Sequence, residues 1–376
     1  MIAIEQKILA YAADLNPDSD HHEGLRRLIS RYTDVDQLID LADKEGLTCL
    51  FYKNLEKSGL LETLRPEQRE RLQTSYYQTA GFNLKLIHDL KEVLDLLTRE
   101  NIRVVLLQGM DLLQQVYGDI GLRPMIDIDL WVLRKDYAGL IAILTSQGYQ
   151  RDPIYPNTFR KGSTTFDLHT HILWADRIEA RKLLLNKGEE DIYQHARLID
   201  LEGQKALCLS PYDQVLYLSL HALKHHMNRL IWLADIKGLL ENWNRSDWEA
   251  LMNRAKELGQ EKTLSYIFFI LFHLFDFQLP PQAQQLMERK RLHLLEKRVL
   301  RERIKGNSLP FWAPVFLFSS EKGLRKRFLF IFENVFPRPE IMRQIFVDSS
   351  DRKVWQLYLM RVLEVIKRIK RTWKKP

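Results

Sequence analysis

The sequence predicts an α/β (α+β) protein, with a small mixed β-sheet core flanked by N-terminal and C-terminal helical regions. Two patterns carry that expectation. MIDIDLWV and TTFDLH alternate apolar and polar residues with the period of a strand. Before and after them, longer runs space their apolar residues by three and four, as on one face of a helix. The 376 residues leave room for two or three domains of ordinary size. The expected partition is 1–100 helical, 101–204 the α/β core and 205–376 helical.

In the first region, Leu25, Leu28, Ile29 and Tyr32 have helical spacing, and so do Leu38, Ile39, Leu41 and Ala42. Pro66 suits the first turn of a further helix, because its missing N–H has no partner to lose there. From Tyr76 to Arg99 the pattern is long and amphipathic, through Leu84, Leu86, Ile87, Leu90, Val93, Leu94 and Leu97. That helix is expected to pack on the sheet. His21-His22 lacks a nearby ligand partner and reads as a solvated helix start.

The core is expected to run strand Arg103–Leu107, helix Met110–Tyr117, strand Asp127–Leu133 and helix Tyr137–Gln147. Extended segments follow at Tyr149–Tyr155, Asn157–Arg160 and Thr164–Leu173, with Gly148 ending the helix before them. After Ser210-Pro211 the pattern is helical again. HALKHHMNRLIWLAD then places His221, Lys224, His225, Arg229, Trp232 and Asp235 near one helical face. Histidines four apart can share zinc, but no glutamate follows His221 and no third ligand is evident. The Phe-rich stretch Phe311–Phe336 reads as core or interface. A last helix, Arg352–Trp373, would pack through Val354, Leu357, Tyr358, Met360, Leu363 and Ile366.

Composition narrows the classes. With 45% hydrophobic and 28% charged residues, the chain is expected to fold rather than stay disordered. Cys49 and Cys208 offer neither a disulfide framework nor metal spacing, and read as buried thiols in a reducing compartment. MIAIEQKILAYAADL lacks the basic-then-apolar order of a signal peptide, and no run of about 18 apolar residues exists. A cytoplasmic protein is expected. The net charge of +7 is uneven, with Lys367, Arg368, Lys370, Arg371, Lys374 and Lys375 crowded at the end. A solvated helix C-terminus explains those cations better than contact with a membrane surface. The near-neutral body and the lack of an RNA-binding motif argue against nucleic acid.

The chemistry is expected at Asp127, Asp129 and Asp167. Period two puts Asp127 and Asp129 on one strand face, roughly 6.6 Å apart at Cα, with Ile126, Ile128 and Leu130 on the other. FDLH puts Asp167 and His169 on a common face in the same way. If the strands are neighbours, three carboxylates converge, which is costly without a cation. Mg²⁺ takes such hard oxygen ligands and commonly brings a nucleotide phosphate with it. Upstream, a strand, Gln108-Gly109 and a helix start would offer backbone N–H groups to an anion. Arg123, shortly before the Asp strand, would clamp a phosphate or pair with Asp127 or Asp119. Arg160 and Lys161 read as solvated residues beside a turn.

Together these residues resemble an uncharacterised nucleotidyltransferase family of the DNA polymerase β-like superfamily. The matching residues are Gly109, Tyr117, Leu122-Arg123-Pro124, Asp127-Ile128-Asp129-Leu130 and Asp167-Leu168-His169. Two positions depart from the pattern: Gln108 stands where lysine is common, which removes one phosphate contact, and Thr170 where an aromatic is common. The resemblance implies Mg²⁺-dependent transfer of a nucleoside monophosphate, AMP from ATP as the expected case, to an unidentified acceptor with release of pyrophosphate. It implies two Mg²⁺ ions on Asp127, Asp129 and Asp167. The nucleotide would meet Gln108, Gly109, Arg123, His169, His225 and Arg229. Rival readings are an inactive nucleotide-binding or regulatory protein of this fold, or a protein that binds RNA ends.

Overall fold

The computed structural model describes residues 2–373 apart from 176 and 350, with the side chains of 369–373 excepted. Seven strands form one mixed sheet. They are β1 (Val104–Leu106), β2 (Ile128–Val132), β3 (Gln150–Arg151), β4 (Thr158–Lys161), β5 (Thr164–His169), β6 (Arg197–Leu201) and β7 (Gln204–Cys208). Their spatial order is β3-β4-β5-β2-β1-β7-β6. β2 lies between β1, antiparallel to it, and β5, parallel to it. The β6–β7 hairpin is an element that the hydrophobic pattern alone did not announce. It turns on Glu202 and Gly203, both at positive φ (+49° and +92°), which is the backbone of a two-residue hairpin turn.

Helices enclose this sheet. Before it come α1 (Ile4–Ala12), α2 (Ser19–Ile29), α3 (Val35–Glu45), α4 (Thr48–Lys57) and α5 (Pro66–Arg99). Within it lie α6 (Gly109–Leu112), α7 (Tyr137–Ser146) and α8 (Glu189–Gln194). After it come α9 (Pro211–Lys224), α10 (Ile231–Leu240), α11 (Arg245–Leu258), α12 (Glu261–Leu274), α13 (Pro281–Arg289) and α14 (Leu294–Ile304). The chain closes with α15 (Ala313–Ser319), α16 (Leu324–Val335), α17 (Pro339–Ile345) and α18 (Val354–Trp373). Among the described residues no helix is long and apolar enough to cross a membrane.

The two faces of the sheet join different cores, and strand alternation is the reason. Ile128, Leu130, Val132, Phe166 and Leu168 meet Leu86, Ile87, Leu90, Val93, Leu94 and Leu97 of α5. The amphipathic helix therefore packs on the sheet as its spacing implies, although Leu84 faces solvent. Val105, Trp131 and Leu207 point the other way, into a larger core shared by the N-terminal and C-terminal helices. A buried ion pair ties those helices together: the Arg303 guanidinium of α14 donates to Glu45 of α3 and to the Met227 carbonyl. Glu45 in turn accepts the Leu230 N–H at 2.8 Å.

Several expected boundaries differ. β2 begins at Ile128, so Asp127 precedes the strand. Ile126 does not join the apolar face but is 69% exposed. The segment after Met110 is one turn of α-helix followed by a π-helical turn, Leu113–Tyr117. The single helix expected through His221 and Asp235 is broken: α9 stops at Lys224, and His226 (φ +60°) and Met227 (φ +47°) turn the chain into α10. The bonds from Arg303 and Glu45 hold that turn without a glycine. The Phe-rich stretch is not uniformly core, since Phe330 is buried while Phe328 and Phe332 are exposed. In α18, Leu357 is buried but Leu363 and Ile366 face solvent. Lys370, Arg371, Lys374 and Lys375 have side chains outside the described residues.

Candidate active site

The register of β2 on β5 sets the site. Asp129 lies opposite Asp167, and Trp131 opposite His169. Parallel neighbours share a face, so Asp129, Asp167 and His169 project together above the sheet. One ligand atom from each lies within 4.8 Å of the others, the one such group of metal-ligating side chains found among the described residues. His169 Nε2 is 2.7 Å from Asp129 Oδ1 and 3.8 Å from Asp167 Oδ2. Thr158 Oγ1 donates to Asp167 Oδ1 at 3.0 Å, leaving its other oxygen toward the cluster. Asp127 lines the same cleft but is not one of the set of three.

Electrostatics fit a group of acids crowded in a partly dry place. Burial, then the charges of Asp129 and Asp167, push the Asp127 carboxyl up to about 7. Burial also raises Asp167, with Asp129 adding to it and His169 opposing it. For His169, burial favours the neutral ring, but the hydrogen bond and charge of Asp129 outweigh it and the ring is raised. Two carboxylates and an imidazole suit a divalent cation, and the hard oxygens suit Mg²⁺. The histidine that grips Asp129 is placed to orient a ligating carboxylate as readily as to ligate.

A cavity of about 600 Å³ opens above these residues. Cationic and aromatic side chains from the segment after β5 and from the C-terminal helices line the rest of it. Lys224 Nζ stands 3.4 Å over the Trp174 ring. Trp174 stacks on Tyr217 at 5.6 Å between centroids, and the Tyr217 hydroxyl accepts from Gln108 Nε2 at 3.3 Å. His221, His225 and Trp232 form a ring cluster, with the two histidines 4.6 Å apart. Burial, aided by Lys224, holds His225 neutral, down to about 3. His221 Nδ1 is buried with no hydrogen-bond partner. Arg177 and Arg229 also line the cavity, and Arg338, Glu340, Ile341 and Gln344 come from α17 and the residue before it. The sequence pattern did not single out Trp174 or Tyr217. Trp174 carries a hint only in the structure, a positive φ of +56° beside the site.

Arg123 takes a different partner from the ones expected. Its Nε and Nη2 donate to Asp235 Oδ1 and Oδ2 at 2.9 and 2.7 Å, a buried two-pronged pair. Asp235 also accepts from Tyr117 at 2.5 Å. Asp119 is engaged elsewhere, by the Tyr76 hydroxyl at 2.8 Å. The third guanidinium nitrogen of Arg123 lies against Gly109, where an added Cβ would come within 2.4 Å of it and 2.7 Å of Met125 Sδ. A larger residue here would have to displace the Arg123 and Met125 side chains packed over the turn, and Arg123 lines the cleft edge beside it. Gln108 precedes it at φ +55° and ψ −123°, a backbone region that favours glycine. Arg160 pairs with Asp152 at 3.0 Å, and neither it nor Lys161 lines the cavity.

A comparison with curated proteins finds no match. A family model described as uncharacterised nucleotidyltransferase matches residues 32–276, well over half of the chain and all of the strands just described. Sheet, acidic pair and match agree, and the chain belongs to the uncharacterised nucleotidyltransferase family.

Proposed function

We propose that the protein transfers a nucleoside monophosphate from an NTP, with ATP as the expected donor, to an acceptor hydroxyl or other nucleophile, and releases pyrophosphate. One observation carries the reading: an acidic cluster and a set of basic and aromatic side chains line one cavity. A triphosphate with its metals is the ligand that satisfies both, metals on the acids and phosphate oxygens on the cations.

Asp127, Asp129 and Asp167 would hold two Mg²⁺ ions, with His169 orienting Asp129. When bound, Mg²⁺ neutralises phosphate charge and makes the attacking group a better nucleophile. The remaining tasks fall to the chain's own side chains. Burial and the charge of Arg181 hold the Lys224 ammonium well below its usual range, so phosphate oxygens would draw a proton onto it and make it the cation that Gln108 does not supply, and Arg229 adds a second. Gln108 and the Gly109 turn position the phosphates beside Arg123. Trp232 offers a flat face to a base, while Trp174 is already covered by Lys224 and Tyr217, and His221, kept neutral by burial, offers a ring nitrogen to its edge or to a ribose hydroxyl. Asp167 would also help to take up the nucleophile's proton.

The test is incubation of the purified protein with each NTP labelled at its α-phosphate, Mg²⁺ and a cell extract as the source of acceptor. Label should appear in a product identified by mass spectrometry, with equimolar pyrophosphate, and chelation should stop it. Asp129→Asn should stay folded and lose most transfer, because a neutral amide replaces a charged ligand. If wild type releases no more pyrophosphate than Asp129→Asn with every NTP, transfer is wrong and a nucleotide-binding protein remains.

A further inference from the structure

The last helices present a surface that the cleft does not use. On α16, Leu324 is 86% and Phe328 66% exposed, and Phe332 continues the same stripe. These rings stack along the helix, Phe328 on Phe332 at 5.9 Å and Phe332 on Phe336 at 5.0 Å. On α18, Trp355 is 62% exposed, and Leu359, Leu363 and Ile366 repeat along one face behind it. Phe336 touches Tyr358 at 6.0 Å and so joins the two stripes. An apolar face of this extent on a helix pair calls for a cover.

Charge selects the cover. Residues 321–376 hold 15 Lys and Arg against 6 Asp and Glu, a net of +9, which leaves residues 1–320 at −2. Arg325 and Lys326 are exposed beside Leu324 and Phe328, and Lys367 follows Ile366, next to Arg368, which pairs with Glu364. We propose that α16 and α18 seat the protein on an anionic membrane surface, lying in the headgroup layer without crossing the bilayer. Exposed Phe, Trp and Leu next to Lys and Arg is the composition of an interfacial helix. A second copy of the chain would cover the apolar stripes but bring the same positive charge against itself. A nucleic acid would answer the cations and leave Leu324, Leu359 and Leu363 in water. An anionic bilayer answers both.

The experiment is co-sedimentation of the full chain with vesicles of phosphatidylcholine alone, and with vesicles of phosphatidylcholine mixed with phosphatidylglycerol. Binding is expected to the mixed vesicles only, and to fall as salt rises. The double variant Arg325→Glu/Lys326→Glu should weaken it about tenfold or more. Phe328→Ser/Phe332→Ser and, separately, Leu359→Ser/Leu363→Ser should weaken it too, each with the wild-type circular dichroism spectrum. Two results overturn the proposal. One is no preference of the wild type for the anionic vesicles. The other is a wild-type dimer by light scattering that Phe328→Ser/Phe332→Ser turns into a monomer. Nucleotide transfer plays no part in the readout, so the proposal stands or falls apart from the proposed activity.

Discussion

Removing the carboxylate of Asp235 tests how the cleft is held open. Asp235 is fully buried, grips Arg123 through two hydrogen bonds and accepts from Tyr117. Asp235→Leu or Arg123→Met each leaves one buried charge without its counterpart, which costs about 3–5 kcal/mol. The double change Arg123→Met/Asp235→Leu leaves no charge behind. It strands only the Tyr117 hydroxyl, at about 1–3 kcal/mol. The singles therefore sum to well beyond the double, and the coupling between the two sites should be at least about 3 kcal/mol. Urea denaturation followed by far-ultraviolet circular dichroism measures all three variants. Because Arg123 also packs over Gly109, the singles should weaken nucleotide binding even where they remain folded. A coupling below about 1 kcal/mol, the size of a surface pair, would refute the buried clamp.

Asp111 is buried between Gln115 and Gln214, and burial, partly offset by Gln115 and Arg197, pushes its carboxyl up to about 7. With the unfolded value near ~3.9, its contribution to stability is full below about pH 4 and lost as pH rises to about 7. Asp111→Asn should remove that dependence, gaining up to about 4 kcal/mol over wild type at neutral pH. The unpartnered Gln214 Oε1 can turn to accept from the new amide. Denaturation at acid and neutral pH checks this, and an equal gain at both would contradict it. Gln108→Ala and Gln108→Gly both lose the bond to Tyr217, but only glycine suits the positive φ, so the glycine variant should be the more stable by about 1 kcal/mol. An alanine variant that melts higher than the glycine variant would show that the strain is absent. Lys224→Met keeps the stem against Trp174 but loses the charge, so KM for the NTP should rise about tenfold or more. A fall in kcat with KM unchanged would place Lys224 elsewhere in the reaction.

What the sequence made legible was local. Asp129, Asp167 and His169 could be paired because strand alternation fixes which side chains share a face, and the register then made them neighbours. The amphipathic spacing of α5 told which face meets the sheet for the same reason. What it hid was long-range or unmarked. Arg123 and Asp235 are separated by 112 residues, and no local pattern chooses that carboxylate over Asp119 or Asp127. The break between α9 and α10 uses His226 and Met227 where glycine would have flagged a turn, since tertiary hydrogen bonds stabilise it instead. The β6–β7 hairpin turns on Glu-Gly rather than on Asn-Gly or Asp-Gly. Periodicity in α16 and α18 shows that a face is apolar, but not what covers it, so Phe328 reads as core or interface and Leu363 and Ile366 as packing positions, and all three are exposed.

The Arg303–Glu45 pair has a bearing on how this protein can be divided. The family match ends at residue 276, yet Arg303 lies beyond it, and Glu45 lies near its start. Between them they hold the Met227–Leu230 turn that sets Lys224, His225 and Arg229 along the cleft. A fragment cut at the matched boundaries would keep every acid of the sheet and lose the cation that Glu45 was folded around. In recombination or domain grafting, the heritable unit of this site is therefore wider than its recognisable motif. Its edges are marked by a buried arginine and glutamate, 258 positions apart.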